Sequence, residues 1–196
     1  MKDGLFKTIL YTVIGIGIMT TIMTLTWVTT PFEGVFIQLA YGYLALFAGV
    51  AGAIPAAIVG FTGHVLFDLI NTDHLWLSWA LSTGALGFVF GFAIRRNSLR
   101  QGVFSRHDMV RFNVVQAAVN IAIFGLIAPT LDVLFYHHST TIVFTQGWIV
   151  SIINLLTVAI FGTITLKLYA KYKLKQNNQT ESGAEKMMPA QTGSAL

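Results

Sequence analysis

Five long stretches of this chain carry no charged side chain: Thr8 to Phe32, Gly34 to Phe67, Leu75 to Ile94, Phe112 to Leu131 and Ile142 to Leu166. No other feature narrows the possible folds so far. A helix needs roughly 20 apolar residues to cross the hydrocarbon core of a bilayer. There is no heptad repeat and no alternating strand pattern to give these residues another use. Only 10% of the 196 residues are charged, and the mean hydropathy is +0.69. A soluble domain carries about 25% charged residues and has no means of burying this much apolar surface. The chain reads as an all-α integral membrane protein.

Every arginine, Arg95, Arg96, Arg100, Arg106 and Arg111, falls in one polar stretch, IRRNSLRQGVFSRHDMVRF. Locally this looks like a nucleic-acid patch or a membrane-orientation signal. No stacking motif and no soluble domain accompany the net charge of +4, so nucleic acid is not the expected partner. Lys2 and Lys7 precede the first apolar stretch, and Lys167, Lys171, Lys173 and Lys175 follow the last. Cytoplasmic loops collect Lys and Arg. If the three basic groups share that side, an even number of spans separates each pair.

The stretch from Gly34 to Asn71 is too long for one span and tight for two. Gly49 and Gly52 in GVAGAIPAAI permit a tight turn, and Pro55 suits the first turn of a following helix. Splitting there gives four spans before the arginines and two after. Leaving it whole would put the N-terminus outside. The expectation is six transmembrane helices at 7–28, 34–51, 54–71, 75–95, 110–131 and 146–168, with both termini cytoplasmic. They form one domain over residues 1–172. The tail at 173–196 is polar and poor in aromatics, a composition that predicts disorder. MKDGLFKTIL resembles a signal peptide, but the apolar run is too long and no small-x-small site closes it, so it reads as a retained helix. The outer connections are WVTTPFEGV, NTDHLW and DVLFYHHSTTIVFTQG. The last, Asp132 to Gly147, is the longest and the one expected to carry function. No internal repeat of the kind found in many secondary transporters is visible.

Polar groups in hydrocarbon cost free energy unless paired, so each is a site candidate. His64 and Asp68 lie at i and i+4 on one face of span three. They read as a helix-packing pair or as a proton relay, and a metal would require a third ligand that the sequence does not supply. Gln116 and Asn120 share a face of span five with Asn113, which is near the arginines and reads as structural. Asn154 lies two turns into span six. Interhelical bonding and ligand contact both account for Gln116, Asn120 and Asn154. Trp76 and Trp79, one turn apart at the outer mouth of span four, either anchor the helix at the interface or stack on a flat ring. Trp27 and Trp148 read as anchors, His137 and His138 as loop residues without evident partners, and Glu33 as a site-closing or a solvated carboxylate. Pro129 is expected to kink or end its helix. Gly15, Gly17 and Thr21 put small side chains on span one, where a close-packed helix of this fold or a partner fits. The chain has no cysteine, no phosphate loop, no G-x-S-x-G and no H-E-x-x-H. Nothing in it calls for a cofactor or a metal.

YGYLALFAGVAGAIPAAIVGFTGHVLFDLI, LSWALSTGALGFVFG, RFNVVQAAVNIAIFGLIAPTLDVLFY and VFTQGWIVSIINLLTVAIFGTITLKLYAKYK together resemble the substrate-binding (S) components of energy-coupling factor (ECF) vitamin transporters. The resemblance covers about residues 8 to 172, and the GH...DL and APTLD...FTQG stretches are its more specific parts. HLWLSW stands where a Pro-Trp-Trp-like entry to span four is the family pattern. The resemblance implies a vitamin site near the outer surface, made by helices four to six and the outer loops. It implies that small residues on the first helix, here Gly15, Gly17 and Thr21, contact a transmembrane coupling protein. It implies two separate ATPase subunits, in keeping with the missing phosphate loop. The members it most resembles are linked with hydroxymethylpyrimidine, a thiamine precursor, or with vitamin B6 compounds, both small flat rings. Two other classes stay open: a stand-alone secondary transporter, with His64 and Asp68 as its only coupling candidates, and an intramembrane enzyme without a recognisable catalytic set.

The six-span reading predicts Ser105 on the cytoplasmic side and Ser139 outside. Single cysteines placed at these positions in the cysteine-free chain should react with an impermeant maleimide only at 139 in intact cells. Outside labelling at 105 would end the six-helix topology.

Overall fold

The computed structural model describes residues 2–32 and 35–187. Among these the chain is almost entirely helical. Helix α1 (Lys2–Leu25) leads into a two-strand hairpin, β1 (Val28–Thr29) and β2 (Phe36–Ile37), antiparallel with Val28 opposite Ile37. Then come α2 (Ala40–Ala51), α3 (Ala53–Asn71), α4 (Leu77–Ala93) and the short α5 (Arg96–Arg100). Helix α6 (Arg106–Ala122) passes through a π-helical turn, Ile123–Ile127, into α7 (Ala128–Tyr136). Helix α8 (Thr140–Thr157) passes through a second π turn, Val158–Gly162, into α9 (Thr163–Met187).

Four helical runs are long and apolar enough to cross a membrane: Gly4–Leu25, Ala53–Asn71, Arg106–Tyr136 and Thr140–Ser182. Two shorter apolar helices, Ala40–Ala51 and Leu77–Ala93, complete the set. Each corresponds to one expected span. The chain divides at Gly52, whose φ of +99° suits glycine and disfavours any other residue. Its backbone N–H bonds to Ala48 O at 2.9 Å, which ends α2, and Pro55 follows in the first turn of α3.

Three expectations are corrected. The outer connection at 132–147 shrinks to His137–Ser139, because α7 runs on to Tyr136 and α8 starts at Thr140. The polar tail expected to be disordered from 173 is helical as far as Met187. Polarity marks where a chain leaves hydrocarbon, and a helix can continue past that point. A short strand pair also forms between α1 and α2, too brief to show as an alternating pattern. Glu33 lies outside the described residues.

The packing is set by small residues. Helices α3 and α4 meet backbone to backbone: a Cβ on Gly60 would come within 2.6 Å of Thr83 O, and one on Gly87 within 2.5 Å of Ala56 O. On the other side of α3, Gly63 meets Met19 of α1, and the Thr20 hydroxyl donates to Gly63 O at 3.2 Å. In a bilayer, where apolar side chains gain little by leaving lipid, such close contact is what holds helices together. Pro129 does not end its helix. Its ring would clash with the carbonyl four residues back, and the widened turn Ile123–Ile127 ahead of it makes room.

Candidate functional site

At the end of the bundle opposite the arginines lies a cavity of about 310 Å³. Its walls come from the starts of α2 and α4, the end of α3, the middle and last turns of α8, and β2. Of the residues singled out from sequence, His64, Asp68, Trp76, Trp79 and Asn154 line it. Gln38, Tyr41 and Gln146 add polar groups, and Phe36 and Phe67 add rings. Such a mix of aromatic walls and a few convergent polar groups is usual for small-molecule sites.

Asp68 closes the corner between α3 and α4. Its Oδ2 accepts the backbone N–H of Trp76 at 3.0 Å, and its Oδ1 lies 3.6 Å from His64 Nε2. The second distance is too long for a hydrogen bond. His64 Nδ1 instead pairs with Thr83 Oγ1 across the α3–α4 contact at 2.7 Å. Both residues therefore hold the corner as well as facing the cavity.

Trp79 is fixed on two sides. One face of its indole stacks on Phe124 (ring centres 5.9 Å apart, 25° between planes), and Nε1 donates to Asp132 Oδ2 at 2.7 Å. Ser78 donates to the other oxygen of the same carboxylate. Asp132, 1% exposed, thus ties α7 to α4. Phe124 also takes the edge of Tyr41 (5.7 Å, 83°), so one ring in the π turn backs two cavity residues. Trp76 packs against His138 (5.2 Å) and Tyr136 (6.1 Å), while the Tyr136 hydroxyl accepts the N–H of Leu77 at 3.2 Å. His138, expected to lack a partner, is part of this aromatic rim.

Asn154 differs from the other intramembrane amides. It is 0% exposed and lines the cavity, and among the described residues neither Nδ2 nor Oδ1 makes a hydrogen bond of good geometry; the Tyr41 hydroxyl is the polar group that faces it. A buried amide left unpaired costs roughly 1–3 kcal/mol. A ligand that donates and accepts there would remove that cost.

Gln116 and Asn120 do not reach the cavity. Gln116 Nε2 donates to Leu155 O and to Asn113 Oδ1, both at 3.3 Å, and Asn120 Nδ2 donates to Gln116 Oε1 at 3.0 Å. Asn113 Nδ2 reaches Thr163 Oγ1 at 2.9 Å. Asn113 and Gln116 thus join α6 to the α8–α9 rod, and the interhelical reading applies to Gln116; Asn120 bonds back to Gln116 within α6, and its Oδ1 has no partner among the described residues. Sequence reasoning missed Gln38, Tyr41 and Asp132. Gln38 and Tyr41, polar groups one turn apart in IQLAYGY, were a usable signal. Gln146 lay in FTQG, within the connection expected to carry function.

The small residues of α1 separate as well. Gly15 is buried, and a Cβ there would come within 2.5 Å of Phe47, so it packs inside the fold. Gly17 and Thr21 are exposed, with nothing within 4 Å of a Cβ on Gly17. The Thr21 hydroxyl turns back to Gly17 O at 2.8 Å.

These features define a multi-pass membrane protein with a ligand-sized cavity, walled by aromatic rings and a few polar groups, at one end of its bundle. Residues 5–171 match the family described as ECF-type riboflavin transporter, S component, and the chain belongs to it. Members of this family are membrane substrate-binding subunits of ECF importers, working with ATPase and transmembrane components. The chain is 39% identical over 175 residues to a UPF0397 protein of Lactococcus lactis subsp. cremoris (strain NZ9000), covering 89% of this chain and 96% of that one. It is 37% identical over 179 residues to one of Enterococcus faecalis (91% and 98%) and 34% identical over 177 residues to one of Staphylococcus aureus strain JH9 (90% and 96%). No solved structure matches the chain.

Replacing Asp132 with Ala leaves the Ser78 hydroxyl and the Trp79 N–H unpaired. The expected loss is about 1–3 kcal/mol of stability, read as a lower midpoint of thermal unfolding in detergent. An unchanged midpoint would mean the α4–α7 tie carries no weight.

Proposed function

We propose that the cavity captures a small, flat, nearly uncharged aromatic vitamin or precursor at the outer face of the bacterial plasma membrane. The protein then delivers it inward with the transmembrane coupling protein and two ATPase subunits. Six spans with both termini cytoplasmic put the cavity on the outer side. The observation that carries the ligand class is the pairing of Trp79, held with one face already stacked, with the unpartnered Asn154 amide. Together they ask for a ring that bears donors and acceptors on its edge.

Within that class the preferred ligand is hydroxymethylpyrimidine or a pyridoxine-like compound, from the sequence resemblance. The family description names riboflavin, and a fused flavin ring is the second reading. Calorimetric titration of the purified chain with all three should give sub-micromolar affinity for one. Trp79→Ala and Asn154→Ala should each weaken that binding by roughly 1–3 kcal/mol, the scale of a lost ring stack or a lost buried hydrogen bond. Asn120→Ala should leave affinity within a few-fold. Failure of all three compounds to bind would remove the aromatic-vitamin reading.

The outward pair Gly17 and Thr21 supports docking of the coupling protein on α1, and Gly15 is withdrawn from that role because it packs on Phe47. Gly17→Leu and Thr21→Leu should keep ligand affinity and abolish uptake by the full complex in liposomes, since close helix approach depends on small side chains. Uptake at the normal rate would show these residues to be incidental. Transport by the chain without ATPases would favour a secondary transporter instead.

A further inference from the structure

A second cavity, about 640 Å³, opens at the arginine end between α1, α2, α5 and α9. Ile14, Ile18 and Phe47 form an apolar wall, and Arg96, Arg100 and Lys173 stand along one rim. An orientation signal needs basic residues in the loop but does not need them gathered around a cleft. Here the fold gathers them. Leu99, fully buried, pins α5 beneath Gly49 of α2. Gly102, at φ +84°, lets the loop lie against the backbone of Leu174, next to Lys173.

Among the described residues these cations have no counter-ion. The neighbouring Arg95 is the arginine that pairs, with Asp108 at 3.7 Å. Arg96 Nη2 donates to Val50 O at 3.2 Å, at the end of α2, but its buried Nε has no partner. Lys173 Nζ donates to the neutral Gln176 Oε1 at 2.7 Å and lies 6.0 Å from the Tyr172 ring centre. Burial and the charge of Arg100 both lower the basicity of Arg96, the sign of like charges held together without relief.

We propose that this cleft binds one anionic phospholipid of the cytoplasmic leaflet, with its phosphate among Arg96, Arg100 and Lys173 and an acyl chain along Ile14, Ile18 and Phe47. Guanidinium groups suit phosphate oxygens in geometry as well as charge. Basic pockets between transmembrane helices on the cytoplasmic side are suited to anionic headgroups. A free phosphate would leave the apolar wall unused. An acidic peptide would find no free backbone groups on the helical walls to set its register. The inference uses the sidedness of the proposed topology and is independent of which vitamin is carried.

The test is native mass spectrometry of the full-length chain in detergent, titrated with phosphatidylglycerol or phosphatidylcholine. Phosphatidylglycerol should be retained about tenfold more strongly, given the attraction of each basic residue for an anionic lipid. The preference should vanish in Arg100→Gln/Lys173→Gln and survive in Arg100→Lys/Lys173→Arg. Arg96 is left in place because it also ends α2. Circular dichroism and the unfolding midpoint show whether the glutamine pair folds; if it does not, the wild-type lipid ratio and the charge-keeping pair decide. Equal retention of the two lipids overturns the proposal, as does a preference that the folded glutamine pair keeps. Displacement of phosphatidylglycerol by millimolar inorganic phosphate would assign the rim to a free anion. If the glutamine pair loses the ECF subunits in co-purification and keeps its phosphatidylglycerol, the cleft is a protein-docking surface and the lipid reading fails.

Discussion

The glycine-mediated contact between α3 and α4 is what the rest of the site depends on. Gly60 and Gly87 let the two backbones meet with no side chain between them. At that distance the His64 ring reaches Thr83, and the Asp68 carboxylate reaches the N–H of Trp76. A wider separation would break both links and leave a carboxylate and an imidazole unsupported in a low-dielectric interior, where unpaired polar groups are costly. The same corner aims Trp76 and Trp79 across the cavity. One side of α3 therefore sets the cavity wall, while the other, through Gly63, seats α1.

The helical architecture was legible because hydrophobic length is a one-dimensional property. Each of the six expected spans has a helix, and the division at Gly52 followed from two glycines and a proline. What the sequence hid was where helices stop relative to where hydrophobicity stops. Asp132, Tyr136 and Thr140 look like loop residues by polarity, yet all three are helical. Asp132 can sit in a helix because Ser78 and Trp79, more than fifty residues away in sequence, neutralise its acceptor demand. No local pattern carries that information.

The site residues divide by the same logic. Gln116, Asn120 and Asn154 look alike as isolated amides in apolar helices. Gln116 reaches the next helix, and Asn120 bonds back to Gln116, away from the cavity. Asn154 faces the cavity and the Tyr41 hydroxyl. Which of these a residue does depends on the rotation of its helix against the neighbours. That rotation is set by distant small residues such as Gly42, where a Cβ would come within 2.8 Å of Phe161, and Gly147, which lies against Pro129. Periodicity placed Gln116 and Asn120 on one face correctly but did not say what that face met.

Helix α1 brings the two ends of the molecule into one mechanical frame. It carries Met19, buried against Gly63 and so against the helix bearing His64 and Asp68. One turn earlier it carries Gly15, buried against Phe47, and Phe47 lines the basic cleft. Its opposite face bears Gly17 and Thr21 and is bare. A shift of α1 toward a partner would therefore act on Met19 and Phe47 together, since close-packed contacts transmit displacement rather than absorb it. Occupancy of the basic cleft bears on the same helix through Ile14 and Ile18. The exposed face of α1, the α3 wall of the first cavity and the basic cleft all depend on one helix seating, and glycine contacts are what keep that seating tight.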